Sequence, residues 1–136
     1  MKKKVAINGF GRIGRLVYRA FLERLNEFSN QYEISYINDL ADIDSNIHLL
    51  KYDTIHGPLN KEINKISNEQ FSIGKNTVTV TSEKNPIDLK WKDKNVDIIL
   101  ECTGVFASKE KAMSHIESGA SKVIVSAPCS GADITV

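Results

Sequence analysis

The sequence predicts an α/β domain built on a doubly wound, mostly parallel sheet. Three observations lead to this fold class. Strand-like and helix-like segments alternate along the chain, two apolar runs are typical of buried parallel strands, and a glycine-rich turn joins the first strand to the first helix. The length of 136 residues, with 41% hydrophobic and 26% charged residues, indicates one ordinary globular domain, 1–136.

The first half of the chain predicts two strand–helix units. Residues 3–7 and 33–37 are short β-prone runs, and residues 42–52 have the spacing of a helix with Asp42 or Asp44 available as its N-cap. The first helix opens after the glycine-rich turn and continues to about residue 28. Its apolar side is predicted to comprise Leu16, Val17, Ala20, Phe21, Leu25 and Phe28, and its solvent side Arg15, Arg19, Glu23 and Glu27.

The second half predicts a small antiparallel insertion followed by two more strands. Residues 54–86 contain short β-prone segments separated by turns. Residues 96–100 and 123–125 are predicted to be buried parallel strands. Between them a helix is expected through about Glu117, with Ser108 as its N-terminal cap and Gly119 as its C-cap. The β-prone triplet 134–136 at the end leads us to expect a sheet truncated before its last strand, with an exposed edge and marginal stability.

The turn Gly9-Phe10-Gly11-Arg12-Ile13-Gly14 has the G-x-G-x-x-G spacing of a dinucleotide-binding, Rossmann-type fingerprint. In this pattern the first glycine permits the tight turn, the second lets the backbone approach a pyrophosphate, and the third lets helix and strand pack closely. The helix N-terminus would offer free N–H groups to the anion. The alternative is a glycine-rich turn without a ligand.

Asp39 ends the second strand, 25 residues after Gly14, and is the candidate for binding the adenosine ribose. A carboxylate there would repel a 2′-phosphate, which favours NAD over NADP. The alternative is that Asp39, or Asp42, only caps the next helix. Cys102-Thr103-Gly104 and Ser126-Ala127-Pro128 end the two buried strands, where small residues leave room for a cofactor or simply form exit turns.

The spacing of the remaining reactive side chains does not indicate a metal site or a catalytic nucleophile. The two cysteines and three scattered histidines have neither metal-site nor nucleophile–base spacing, so Cys102 and Cys129 are interpreted as inert thiols. A net charge of +1 gives no reason to expect nucleic-acid binding. No signal-peptide core or membrane-spanning run is present, so we expect a cytoplasmic location and no membrane partner.

Several segments, in the same order along the whole chain, resemble the N-terminal part of glyceraldehyde-3-phosphate dehydrogenases of the bacterial, phosphorylating, NAD-dependent type. They are Val5-Ala6-Ile7-Asn8-Gly9-Phe10-Gly11-Arg12-Ile13-Gly14-Arg15, Asn38-Asp39-Leu40, Leu49-Leu50-Lys51-Tyr52-Asp53, His56-Gly57, Glu101-Cys102-Thr103-Gly104-Val105-Phe106 and Lys122-Val123-Ile124-Val125-Ser126-Ala127-Pro128.

The resemblance implies a cofactor cleft for NAD. The backbone of Arg12 and Ile13 would hold the pyrophosphate, and Asp39 would bind the adenosine ribose. Lys84 would lie beside the adenosine, and Ser126 near the nicotinamide ribose. The other residues implied to line or support the cleft are Asn8, Gly9, Phe10, Gly11, Gly14, Asn38, Thr103, Gly104, Phe106 and Ala127.

In that family the full-length enzyme is a homotetramer that oxidises glyceraldehyde 3-phosphate with NAD and phosphate. The family's Ser-x-x-Cys-Thr-Thr-Asn segment and its catalytic histidine are not found in these 136 residues. We therefore assign no catalytic residue and expect the chain alone to be inactive. The alternatives are a stand-alone NAD-binding module and the first domain of an erythrose-4-phosphate dehydrogenase.

Overall fold

The computed structural model describes residues 2–24, 31–53, 57–58, 61–103 and 109–126. The strands of this part are β1 Lys3–Asn8, β2 Tyr32–Asn38, β3 Tyr52–Asp53, β4 Gly57–Pro58, β5 Ile63–Lys65, β6 Gln70–Ile73, β7 Asn76–Thr81, β8 Ile98–Glu101 and β9 Lys122–Val125. The helices are α1 Arg12–Glu23, α2 Ile43–Lys51, α3 Trp91–Lys94 and α4 Lys109–Glu117, with a 3₁₀ turn at Pro86–Leu89.

The main sheet has the order β5-β6-β7-β2-β1-β8-β9, and β3 pairs with β4 in a separate ladder. Strands β7, β2, β1, β8 and β9 are all parallel, whereas β5 and β6 form the antiparallel insertion. The predicted fold class is therefore confirmed. Because β1 lies between β2 and β8, the chain leaves β1 in one direction first and returns on its other side later. The carboxyl end of β1 is thus a switch point, where α/β sheets bind ligands.

Both faces of the sheet are covered, as the apolar sequence of β1 requires. Val5 and Ile7 point into a core that contains Tyr18 of α1 and Leu50 of α2. Ala6 points to the opposite face, into a second core with Trp91, Val96 and Ile99. Since side chains alternate along a strand, this arrangement explains why Val5, Ala6 and Ile7 of β1 are consecutive apolar residues.

The buried face of α1 differs from the predicted one. Tyr18, Arg19 and Leu22 are buried, whereas Ala20 is exposed. The burial of Arg19 is compensated, because its Nη2 donates to the carbonyl of Leu50 at 2.7 Å. The predicted continuation of the helix to residue 28 lies outside the described residues beyond residue 24.

Strand β9 also corrects an expectation, since it is not buried. Ile124 is 56% exposed, and β9 is the last strand of the sheet among the described residues. Gly119, with φ of +120°, follows α4 as predicted. The proposed cap Ser108 and the triplet 134–136 lie outside the described residues.

Candidate cofactor site

The glycine-rich turn leaves β1 at Asn8 and enters α1 at Arg12, at the switch point of the sheet. Gly9 has φ of +91°, and a Cβ atom there would lie 2.8 Å from the backbone nitrogen of Thr103. At Gly14 an added Cβ would overlap the carbonyl oxygen of Gly9 and approach Ile7 Cγ2 at 3.2 Å. These two glycines are thus needed for the fold itself, to bring the turn against β8 and α1 against β1.

Gly11 differs from the other two glycines, because an added Cβ would meet no atom within 4 Å. It is the N-cap of α1, with φ of −78°, and no side chain caps the helix there. The first N–H groups of a helix have no intrahelical partner and carry its positive dipole end. Arg12 and Ile13, the next two residues, are exposed. Open space over uncapped N–H groups fits a pyrophosphate, so the residues present fit a dinucleotide.

Asp39 follows the carboxyl end of β2 and faces the same turn. Its Oδ1 accepts from the Phe10 backbone N–H at 2.9 Å, and its Oδ2 accepts from the Ala41 N–H at 3.0 Å. The carboxylate is half-buried, and each oxygen keeps acceptor capacity for a ribose hydroxyl. The cap of α2 is Asp42, whose Oδ1 accepts from Ser45 N–H at 2.7 Å. The alternative interpretation, in which the residue only caps the next helix, is therefore right for Asp42 and wrong for Asp39.

Asn8 and Asn38 lie buried beneath the turn and tie the strand ends together. Asn38 Nδ2 donates to Asn8 Oδ1 at 2.7 Å, and Asn38 Oδ1 accepts from the Thr81 hydroxyl at 2.7 Å. Asn8 Nδ2 in turn donates to Glu101 Oε1 at 2.6 Å. Hydrogen bonds between side chains thus connect the carboxyl ends of β7, β2, β1 and β8. Their role is to fix the floor of the site.

Glu101 and His115 belong to this floor and were missed by the sequence analysis as functional residues. Glu101 Oε1 accepts from His115 Nε2 at 2.8 Å, while Oε2 accepts from both the backbone N–H and the hydroxyl of Thr103. Burial raises the pKa of Glu101, but the hydrogen bonds from His115, Thr103 and Asn8 outweigh it, so the net pKa lies below its usual value. The signal in the sequence was Glu101 itself, an acid at the end of an apolar strand.

The remaining sequence-predicted residues occupy varied positions around the site. Phe10 is 1% exposed and packs in the core, so only its backbone faces Asp39. Lys84 and Thr103 are exposed. Ser126 is also exposed, and its N–H donates to the Glu101 carbonyl at 2.9 Å. Gly104, Phe106 and Ala127 lie outside the described residues.

Cys102 is half-buried at the end of β8. Burial raises the pKa of its thiol and outweighs the opposing Ser126 hydrogen bond, and the nearby Glu101 charge raises the pKa further. A raised pKa suppresses the nucleophilic thiolate, consistent with an inert thiol. Cys129 lies outside the described residues. Within the described ranges, no group of His, Cys, Asp and Glu side chains could hold a metal ion, and no helix is long and apolar enough to span a bilayer.

Comparison with known families decides which dinucleotide domain this is. The sequence profile described as glyceraldehyde 3-phosphate dehydrogenase, NAD binding domain, matches residues 3–109. The chain belongs to this family. NAD is therefore the cofactor of this domain, as the acid at the end of β2 had indicated.

Glyceraldehyde-3-phosphate dehydrogenases from several bacteria are similar to this NAD-binding domain along its length. The protein from Xanthobacter flavus is 46% identical over the whole chain, and that from Thermotoga maritima is 48% identical over 98% of it. In both cases the matched region is 39% of the relative's own length. The chain thus spans about two fifths of the relatives it matches, in agreement with the N-terminal resemblance seen in the sequence.

Proposed function

We propose that this domain binds NAD across the carboxyl ends of β1, β2 and β8, with the pyrophosphate over Gly11 and the adenosine ribose on Asp39. The observation that carries the assignment is the open space over Gly11, which lies beside uncapped helix N–H groups. The Phe10–Asp39 hydrogen bond of 2.9 Å supports it, because it fixes the carboxylate next to that space.

Each element of the site has a separate task in this proposal. The backbone N–H groups of Arg12 and Ile13 bind the pyrophosphate, and the positive end of α1 stabilises its charge. Asp39 accepts hydrogen bonds from the ribose hydroxyls and repels a 2′-phosphate. Thr103 and Ser126, exposed at the ends of β8 and β9, border the path toward the nicotinamide. NAD supplies the hydride acceptor when bound.

In the whole protein we infer the reaction of the family, oxidation of glyceraldehyde 3-phosphate with NAD and phosphate. The support is the sequence identity of 43–48% to relatives that are named glyceraldehyde-3-phosphate dehydrogenase. The nucleophilic cysteine and the base would come from the part of such an enzyme that lies beyond the region matched here. The same resemblance implies a cytoplasmic homotetramer.

The experiment that tests the cofactor assignment is a calorimetric titration of NAD into the protein and into Asp39→Ala. Loss of a charge-assisted hydrogen bond typically costs about 1.5–3 kcal/mol, so Asp39→Ala should weaken NAD at least about tenfold. NADP should lose less affinity than NAD, because the repulsion of its 2′-phosphate is removed.

The matched control is Asp42→Ala, which removes a nearby exposed carboxylate that serves as a helix cap. It should lower the melting temperature but leave NAD affinity unchanged. The assignment fails if the folded protein shows no saturable NAD binding, or if both variants affect binding equally.

A further inference from the structure

A line of four hydrogen-bonded residues runs from the second core to the surface of the cofactor site. Trp91 Nε1 donates to His115 Nδ1 at 3.0 Å, His115 Nε2 lies 2.8 Å from Glu101 Oε1, and the Thr103 hydroxyl lies 2.6 Å from Glu101 Oε2. Trp91, His115 and Glu101 are each at most 1% exposed, whereas Thr103 is exposed. We call these four residues the relay.

The hydrogen-bonding chemistry of the relay permits only one neutral form of the histidine. An indole N–H can only donate, so His115 Nδ1 must be the acceptor. The proton of the neutral ring is then on Nε2, from which it donates to Glu101. The carboxylate can only accept, and it receives hydrogen bonds from His115, Asn8 and twice from Thr103. Every direction in the relay is thereby fixed.

Thr103 is the exposed end of the relay and lies beside the glycine-rich turn. Its backbone nitrogen would lie 2.8 Å from a Cβ placed on Gly9, so Thr103 packs directly against the glycine-rich turn. Glu101 accepts a hydrogen bond from Thr103 with Oε2. With Oε1 it accepts one from Asn8, the residue before the turn. A rotation of this carboxylate would displace Thr103 relative to the turn. The hydrogen bond from His115 opposes such a rotation.

We propose that His115 is a positioning residue for NAD binding: its Nε2–H orients Glu101, which presents Thr103 to the cofactor against the glycine-rich turn. This inference rests on the proposed function. His115 is fully buried, so it does not reach the surface of the site itself but contacts Glu101. Because positioning requires the donor at Nε2 and not the acceptor at Nδ1, the two nitrogens can be tested separately.

The test compares His115→Gln with His115→Asn. A glutamine amide nitrogen can take the place of Nε2 and donate to Glu101, but leaves the Trp91 N–H without its acceptor. An asparagine oxygen can take the place of Nδ1 and accept from Trp91, but removes the hydrogen bond that His115 donates to Glu101. Each variant loses one of the two hydrogen bonds that His115 makes within the relay, so both should be destabilised to a similar degree.

Calorimetric NAD titration of the two folded variants separates positioning from general stability. We expect His115→Asn to weaken NAD about tenfold and His115→Gln to stay within about twofold of the unsubstituted protein. Equal NAD affinity of the two variants overturns the inference. The proposed function fails separately, if NAD does not bind the unsubstituted protein or if Asp39→Ala does not weaken NAD binding. Equal affinity of the two His115 variants therefore overturns the positioning role of His115 without overturning the proposed function.

Nitrogen-detected NMR of the histidine ring provides a readout that does not depend on NAD. A protonated Nε2 and an unprotonated Nδ1 in His115 are expected, with a slowly exchanging Nε2 proton in the buried ring. The opposite tautomer, with the proton on Nδ1, overturns the inference directly, because it removes the donor to Glu101.

Discussion

The three glycines of the turn differ in what surrounds them. The spacing predicted a tight turn at Gly9 and close helix–strand packing at Gly14, and both are present in the structure. The approach of a pyrophosphate at Gly11 stays a prediction. Gly9 and Gly14 leave no room for a Cβ because protein atoms occupy the space, whereas the space at Gly11 is open. Glu101 and His115 escaped prediction, because their pairing joins a strand to a helix and depends on tertiary packing.

Gly11→Ala should separate binding from folding at this turn. The φ of −78° at Gly11 suits alanine, and we expect the free energy of unfolding to change by less than about 1 kcal/mol. The added methyl group projects into the proposed pyrophosphate space, so NAD affinity should fall at least about tenfold. Urea unfolding and calorimetric titration measure the two quantities.

Gly14→Ala is the matched comparison. Its methyl group overlaps the Gly9 carbonyl, so it should reduce the free energy of unfolding by about 1–3 kcal/mol. Normal NAD binding by a stable Gly11→Ala protein would show that the pyrophosphate does not lie over Gly11.

At the scale of elements, the sequence predicted the positions of the helices well, but it predicted less well which side of a helix is buried. The apolar spacing of α1 placed Arg19 in solvent, yet Arg19 is buried. The reason is a long-range acceptor that no local pattern contains. Its guanidinium donates to the carbonyls of Leu50 and Lys51, and thus caps the C-terminus of α2 with a positive charge. Asp42 at the other end was predictable, because an N-cap is local.

Arg19→Met tests whether this contact joins α1 to α2. The variant keeps much of the apolar stem but leaves the last carbonyls of α2 without their charged donor. We expect the free energy of unfolding to fall by about 2 kcal/mol, as for loss of a hydrogen bond to a charged group. Chemical denaturation measures the change, with Arg15→Met, from a half-buried position on the same helix, for comparison. Equal, small effects of both substitutions would argue against the contact.

At the scale of the whole molecule, the alternation of strands and helices was enough to predict the mostly parallel sheet. The polar network that joins the strand ends could not be predicted, because it connects Asn8, Asn38, Thr81 and Glu101 from four different strands. One face of β9 was also misjudged, since the composition of a short apolar run does not reveal its position in the sheet.

Glu101 should make the stability of the whole domain depend on pH in the acid range. Its pKa is lowered in the folded protein, so its ionised form favours folding. That contribution is complete above the ordinary glutamate pKa of about 4.3 and is lost as the pH falls through the lower, folded-state pKa. Glu101→Gln should reduce the free energy of unfolding by about 2 kcal/mol or more at pH 7, because an amide cannot accept all four hydrogen bonds.

The quantity to compare is the difference in free energy of unfolding between the unsubstituted protein and Glu101→Gln, because other acids also titrate in this range. Asp42, whose pKa is lowered mainly by its backbone hydrogen bond to Ser45, contributes equally to both proteins and cancels. Urea unfolding at steps from pH 7 to 3.5 should therefore show that the difference in free energy of unfolding between the unsubstituted protein and Glu101→Gln becomes smaller below about pH 4.3. The reason is that protonation of Glu101 removes the same acceptor that the substitution removes. If this difference in free energy of unfolding stays constant or increases as the pH falls, the Glu101 carboxylate does not hold the strand ends together.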